Sequence, residues 1–268
     1  MKALVFGSGG QVGSELVKLL GPESAVPHSE ADVGDLAVVE SVIAQRQPGV
    51  VFNCASYNAV DRAETERSLA RHANAQGAQN LAIACGRHGA EFVHLSTNYV
   101  FDGALDRPYV EADEPSPISA YGNSKRAGEN LALEFGRHVL IIRSAAIFGG
   151  PRSFPMRILE RARSGDALRV VSDQTINPTY AKDLAAVSLK LAEEGVAGIV
   201  HAVNGGCCAW DELARATLAE AGIDRSVESV PTGAYPAAAP RPKNGCLASS
   251  RIPALRPWRE ALHEALNP

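Results

Sequence analysis

The chain has 268 residues, enough for one large domain, or one domain with a smaller companion, around a sizeable core. Its formal net charge is −4 with acids and bases interspersed, so no basic block marks it for nucleic acid or an anionic membrane. No apolar run reaches the length of a membrane span, and the short one at the N-terminus is interrupted by glycines before it can form a signal-peptide core.

From the N-terminus, KALVF predicts a strand and QVGSELVKLL a helix, with Gly7, Gly10 and Gly13 around the turn between them. The spacing Gly-x-x-Gly-x-x-Gly differs from the commonest dinucleotide fingerprint, Gly-x-Gly-x-x-Gly, but its setting is the same. Glycines permit a tight turn and a close approach of backbone to a pyrophosphate, which then rests on the free N–H groups of the helix. A plain strand-to-helix turn needs no more than one glycine, so Gly7, Gly10, Gln11, Val12 and Gly13 are expected at a nicotinamide dinucleotide. SAVPHSEAD reads as the second strand. An acid at its end would take the ribose 2′-hydroxyl of NADH, whereas His28 and Ser29, at the expected positions, would donate to the 2′-phosphate of NADPH. NADPH is preferred on this reading, with NADH retained because a shift of register would make Glu30 the acid. Asp32 and Val33 are placed to meet the adenine, although Asp32 equally suits the cap of a helix beginning near Leu36.

VVFN predicts the third strand, VDRAETERSLARHANAQGAQNLAIACGRHG a long helix, and EFVHLS the fourth strand. A further helix opens at YGNSK, after the proline-broken stretch EADEPSPISA. Residues four apart share a helix face, so Tyr121 and Lys125 point the same way. An ammonium beside a phenol would lower its pKa from about 10 toward a range useful for proton transfer. HVLIIRSAAIF completes an alternation of strands and helices that predicts an α/β fold with a doubly wound, Rossmann-type parallel sheet.

After about residue 150 the rhythm loosens. FPMRILERARSG suggests a helix, LRVV a strand, the stretch from about Tyr180 a helix, GIVHAV a strand, WDELARATLAEAG a helix and WREALHEAL a last short one, with 226–256 rich in proline, alanine and glycine. Residues 1–148, with about 179–203, are expected to form the cofactor domain. About 149–178 and 204–268 form a smaller lobe, leaving a ligand cleft between them. The five cysteines (Cys54, Cys85, Cys207, Cys208, Cys246) are odd in number and scattered, without metal-ligand spacing. They are expected to be reduced thiols of a cytoplasmic protein, Cys207-Cys208 being loop filler. No histidine reads as a metal ligand.

With the glycines, the fourth-strand Ser-Thr and Tyr-x-x-x-Lys in order, the chain resembles an extended short-chain dehydrogenase/reductase. VVFNCASYNAVDRAETE, HLSTNYVFDG, YVEADEPSPISAYGNSKRAGE, VVSDQTINPTYAKDLA and RPKNGCL resemble its dTDP-4-dehydrorhamnose reductase branch, over Gly7 to about Leu247. The resemblance implies reduction of a nucleotide-linked 4-keto-6-deoxy sugar, as in rhamnose biosynthesis. Tyr121 would donate the proton, Lys125 would lower the phenol pKa and hold the nicotinamide ribose, and Thr97 would orient the carbonyl. Cys54, Ala55, Ser56 and Tyr57 would line the cofactor, and Asn98, Val100, Phe101, Ala146 and Arg241 the sugar. No metal is implied, the partner is the sugar nucleotide, and a homodimer is compatible with the family. Two departures bear on the substrate. Asn98 stands where the family usually has aspartate, replacing a charge by an amide, and Ala146 aligns with a tryptophan that walls the sugar. The chain is also somewhat short for the family, apparently in the smaller lobe. A different class of function is a regulatory subunit that binds NADP without turnover, as the resemblance to the methionine adenosyltransferase beta subunit suggests. An epimerase or dehydratase on held NAD⁺ fits the motifs less well.

Overall fold

Six apolar runs align into one parallel sheet in a computed structural model that describes residues 2–267. In chain order its first half comprises β1 (Ala3–Phe6), α1 (Gln11–Leu20), β2 (Ala25–Val26), α2 (Leu36–Arg46), β3 (Val50–Asn53), α3 (Arg67–Arg71), α4 (Gly77–His88), β4 (Glu91–Thr97), α5 (Ala120–Phe135) and β5 (Val139–Ser144). There follow β6 (Ile147–Phe148), α6 (Phe154–Ser164), β7 (Arg169–Val171), β8 (Thr175–Ile176), β9 (Thr179–Tyr180), α7 (Ala181–Glu193) and β10 (Gly198–His201). The chain closes with β11 (Asn204–Gly205), β12 (Cys208–Ala209), α8 (Trp210–Glu220), β13 (Glu228–Val230), β14 (Leu255–Pro257) and α9 (Trp258–Leu266). The main sheet has the order β10-β5-β4-β3-β1-β2, every neighbouring pair parallel. This is a doubly wound, Rossmann-type α/β sheet. β2 lies on one side of β1 and β3 on the other, so the order reverses at β1 and a crevice opens beyond the C-terminal ends of β1 and β3.

Both faces of this sheet are covered, which is why its strands read as continuous apolar runs rather than alternating ones. Val5, Phe52, Val93, Leu95, Leu140 and Ile142 face α1 and α7, packing on Leu16 and Leu184. Their neighbours Leu4, Phe6, Val51, Phe92 and Ile141 face the other way, onto Val39, Ile43, Leu81 and Ala132 of α2, α4 and α5. The short strands pair separately as β6 with β9, β7 with β13, β8 with β12 and β11 with β14. Around them α6, α8 and α9 bury Ile158, Leu159, Leu213, Leu218, Trp258 and Leu262.

Four local expectations are corrected. The second strand is only Ala25–Val26, since Pro27 removes a donor and the chain turns at once. The helix beginning at Leu36 is capped by Asp35, whose Oδ1 accepts from Ala37 N at 2.9 Å and Val38 N at 3.2 Å; Asp32 instead accepts from Gly34 N. The long helix expected after VVFN is broken into α3, a π turn over His72–Gln76, and α4. The apolar run HVLIIRSAAIF breaks between β5 and β6 at Ala146, which has a left-handed backbone (φ +41°). The cysteine reading also changes. Cys207 and Cys246, 39 residues apart, are joined as a disulfide, while Cys54, Cys85 and Cys208 are free. Linear spacing hid a pair that the folding of the last third brings together. Among the described residues no helix is long and apolar enough to cross a membrane.

Candidate active site

At the C-terminal ends of β1, β3, β4 and β5 lies a cleft of about 350 Å³, lined by Gly10–Gly13, Cys54–Ser56, Thr97, Tyr121, Lys125 and Ala146 among others. A second chamber of about 410 Å³ adjoins it, and Tyr99 and Trp210 belong to the walls of both.

The first wall is the start of α1. Gly7 has φ +74°, and Gly10 N donates to Gly7 O at 3.0 Å to close the turn. A Cβ on Gly7 would stand 2.4 Å from Ala55 N, and one on Gly13 would stand 2.3 Å from Gly7 O. Both positions therefore exclude any side chain, and the backbone of this loop is left bare at the crevice. The Gly10 cap has no side chain to satisfy the first N–H groups of α1, and no acidic residue occupies its first turn. Free donors and a helix dipole without a competing carboxylate suit an anion. The Gln11 side chain is otherwise engaged: its Oε1 accepts from Gly150 N at 3.0 Å and its Nε2 donates to Ile147 O at 3.3 Å, tying the β6 loop to this helix.

The second wall follows β3. Asn74, turned inward by the π segment, accepts from Ser56 Oγ (3.0 Å) and Tyr57 N (2.8 Å), and donates to Tyr57 O (3.0 Å) and Ser124 Oγ (2.9 Å). One buried amide thus fixes the loop against α5. The sequence reading missed Asn74, because its only signal is the loop it happens to face. Tyr57 directs its hydroxyl outward to Glu66 rather than into the cleft.

Tyr121 and Lys125 are presented by α5, which starts where Ser119 Oγ accepts from Gly122 N at 3.1 Å. Burial pushes the Tyr121 phenol up to about 12, while the hydroxyls of Thr97 and Ser56 pull it the other way. The expected lowering by Lys125 is not found: desolvation dominates, and the Lys125 ammonium is turned to Leu95 O, to which it donates at 2.6 Å. Lys125 is 2% exposed, and burial lowers its pKa to about 8 against the pull of Glu129 and Cys54. Tyr99 meets Tyr121 edge to face at 5.5 Å between ring centroids.

Thr97 ends β4, its Oγ1 accepting from Tyr99 N at 3.2 Å. Asn98 Nδ2 donates to Gly245 O at 2.9 Å, so this amide ties the cleft floor to the C-terminal segment. Arg241 reaches Asp61 through both carboxylate oxygens, at 3.0 and 2.8 Å, on the wall of the second chamber. Ala146 lines the cleft beside Trp210. Val100 and Phe101, expected at the sugar, are corrected. The tight turn over Asn98–Val100 folds them beneath the cleft, where they are 0% and 1% exposed and pack with Tyr109, Ala145, Val203 and Leu247. Asp32 and Val33 lie beyond β2, outside the cleft wall. Asp32 is held by Gly34 N and His72, and Val33 packs against Gly77. His28, Ser29 and Glu30 are exposed there, Glu30 already paired with Arg46.

Under the floor, Glu129 and Arg143 form a two-pronged ion pair, at 2.8 Å on each side, with Ser96 Oγ donating to Glu129 at 2.6 Å. Both side chains are essentially inaccessible. Trp210, which opens α8 and packs on Phe154 at 4.8 Å, was also missed by the sequence reading, because nothing local distinguishes it from an ordinary core aromatic.

The profile of the family described as RmlD substrate binding domain matches residues 1–268. The spore coat polysaccharide biosynthesis protein SpsK of Bacillus subtilis is 39% identical over 275 residues, covering 99% of this chain and 97% of the relative. The dTDP-4-dehydrorhamnose reductase of Mycobacterium tuberculosis is 39% identical over 282 residues, covering 99% and 92%. A crystal structure of dTDP-4-dehydrorhamnose reductase from Bacillus anthracis in complex with NADP superposes with a TM-score of 0.95 at 33% identity, covering 100% of this chain and 99% of that one.

Proposed function

Since the chain belongs to the RmlD substrate binding domain family, we propose that it is an NADPH-dependent oxidoreductase that reduces the ketone of a nucleotide-linked 4-keto-6-deoxy sugar. The observation that carries this is that Tyr121, Thr97 and Ser56 line the same cleft as the bare start of α1. The site fits the cofactor. The glycine cradle and the uncapped helix suit its pyrophosphate, and Glu30, engaged by Arg46, leaves the neighbourhood of His28 and Ser29 open to a 2′-phosphate.

Bound NADPH supplies the hydride. Tyr121 gives its proton to the ketone oxygen, and its raised pKa keeps it in the acid form that this step needs at neutral pH. Thr97 orients the carbonyl through its hydroxyl, while Ser56, whose own proton is given to Asn74, lines the cleft beside it. Lys125, one turn along the same helix face, would hold the nicotinamide ribose. The adjoining chamber, with Arg157, Arg161, Arg169 and Arg241 beside Phe154 and Trp210, suits the diphosphate and base of the sugar nucleotide.

Loss of nicotinamide absorbance with dTDP-4-dehydrorhamnose and a panel of related 4-keto sugar nucleotides tests the reading. NADPH binding with no turnover on any of them would favour the regulatory function instead. Gly10→Val tests the cofactor wall separately. A Cβ there meets only Gly7 O, at 3.3 Å, so the turn must give by a few tenths of an ångström, and folding of the variant is checked by circular dichroism, while the branched side chain covers the start of α1. NADPH affinity in a fluorescence titration should fall about tenfold or more, some 1.4 kcal/mol. A folded variant with unchanged affinity would remove the loop from the account.

Ala146→Trp addresses the substrate. A larger wall there should shift relative kcat/KM toward dTDP-4-dehydrorhamnose, at a cost in stability of about 1–3 kcal/mol from overpacking and further strain from the positive φ. If the wild type already reduces that sugar as efficiently as any other, the space at Ala146 does not set specificity.

A further inference from the structure

We infer that His94 is a positioning residue that sets the protonation of Lys125, through a ring tautomer locked by Asn53. The inference rests on the role given to Lys125 above.

His94 lies on β4, fully buried and stacked on Phe92 at 6.0 Å. The proton on its ring is fixed by a chain of hydrogen bonds that starts at the backbone. Ala55 N donates to Asn53 Oδ1 at 3.1 Å, which decides which end of the Asn53 amide is oxygen. Asn53 Nδ2, at the other end, lies 3.1 Å from His94 Nδ1 and has only a donor to offer. His94 Nδ1 must therefore accept. Burial and the nearby Lys125 charge hold the imidazole neutral, and a neutral ring that accepts at Nδ1 carries its hydrogen on Nε2. That Nε2 stands 3.4 Å from Lys125 Nζ.

An N–H aimed at an ammonium is repulsive, because both groups are donors. The same N–H aimed at a neutral amine finds a lone pair. The locked tautomer therefore favours the neutral form of Lys125 and acts in the same direction as burial. The other groups around Lys125 are the Leu95 carbonyl, which accepts from Nζ at 2.6 Å and can do so from the ammonium or the amine, Cys54 after β3, Tyr121 and Glu129 one turn either way on its own helix, and Arg143 of β5 behind Glu129. Cys54 is kept a neutral thiol by burial, and the Tyr121 phenol is pushed up, so Glu129 is the charge that opposes His94. Lys125 is thereby set to titrate close to the working pH instead of remaining a permanent cation.

The test reads Lys125 directly, without turnover. The chain has six lysines, so ¹³Cε-lysine labelling gives few signals, and the Lys125 signal is the one that Lys125→Met removes. In wild type a long-range ¹H–¹⁵N correlation should show His94 as the neutral Nε2–H tautomer throughout pH 6–9. A protonated ring or an Nδ1–H tautomer overturns the inference without any variant. In H94F, which keeps a ring and loses the N–H, Lys125 should titrate about one unit higher, with the other five lysines unmoved. H94Q, whose amide can accept from Asn53 and donate to Lys125, should return it toward the wild-type value. An unchanged Lys125 titration in folded H94F, or H94Q behaving as H94F, overturns the role of the tautomer. Because these spectra need neither substrate nor NADPH, failure of the reductase reading would leave them standing, while an active enzyme with an unmoved Lys125 would sink this inference alone. In the active enzyme the alkaline limb of kcat/KM should move to higher pH in H94F and return in H94Q.

Discussion

Tyr121→Phe should lower reductase turnover by about 10²–10⁴-fold, roughly 3–5 kcal/mol at the transition state, while NADPH affinity shifts little. The substitution removes one hydroxyl and keeps the ring, so the edge-to-face contact with Tyr99 and the packing of α5 are retained. It deletes the proton donor assigned to the ketone. Thr97 and Ser56 remain, but neither hydroxyl is acidic enough to replace a phenol. The glycine wall and Lys125 also remain, which is why binding should survive. Single-turnover rates beside NADPH titrations separate the two quantities, with circular dichroism to establish folding. Full activity in the variant would remove Tyr121 from the chemistry and leave YGNSK as scaffold.

Glu129→Leu should destabilise the fold by about 3–5 kcal/mol, because it leaves the Arg143 guanidinium buried without its counter-charge. Arg143 is 1% exposed and lies over the Phe101 ring at 5.1 Å, a contact too weak to replace two charged hydrogen bonds. The double variant E129L/R143M should recover most of the loss, since removing both charges also removes both desolvation costs. Urea unfolding of the wild type, E129L, R143M and the double variant decides the matter, and additivity of the two single effects would show that the pair is not coupled. The pair also predicts acid sensitivity. Burial raises the Glu129 pKa, but hydrogen bonds and charge from Arg143, with Ser96 and Arg126, outweigh it and hold the carboxyl below its ordinary range. A depressed folded pKa means that the stabilisation is present above the pKa of the unfolded chain and is lost as pH falls through the folded value. The wild type should therefore lose stability in acid more steeply than E129L/R143M.

Glu129 shows how far the sequence could be read. Its place four residues after Lys125 is legible as a shared helix face, but its partner Arg143 comes from β5, and only the pairing of β4 with β5 brings them together. The same division runs through the site. The glycine turn, the start of α5 and the strand-and-helix rhythm were legible because each is a local matter of φ/ψ permission, capping or periodicity. The π turn was not, since HANAQ carries no breaker, and the loop after β3 that its Asn74 holds comes from another part of the chain. Val100 and Phe101 looked like site residues from their motif, yet one tight turn placed them under the floor.

By itself, then, the sequence determined the doubly wound sheet and the face shared by Tyr121 and Lys125, because backbone sterics and a 3.6-residue repeat act over a few residues. The tertiary structure alone decided that Trp210 borders both chambers, that Cys207 meets Cys246, that Asn53 orients His94 toward Lys125, and that the Tyr121 phenol is raised and not lowered. Each of these depends on what surrounds a group, and desolvation and hydrogen-bond polarity are set by atoms that come from distant parts of the chain.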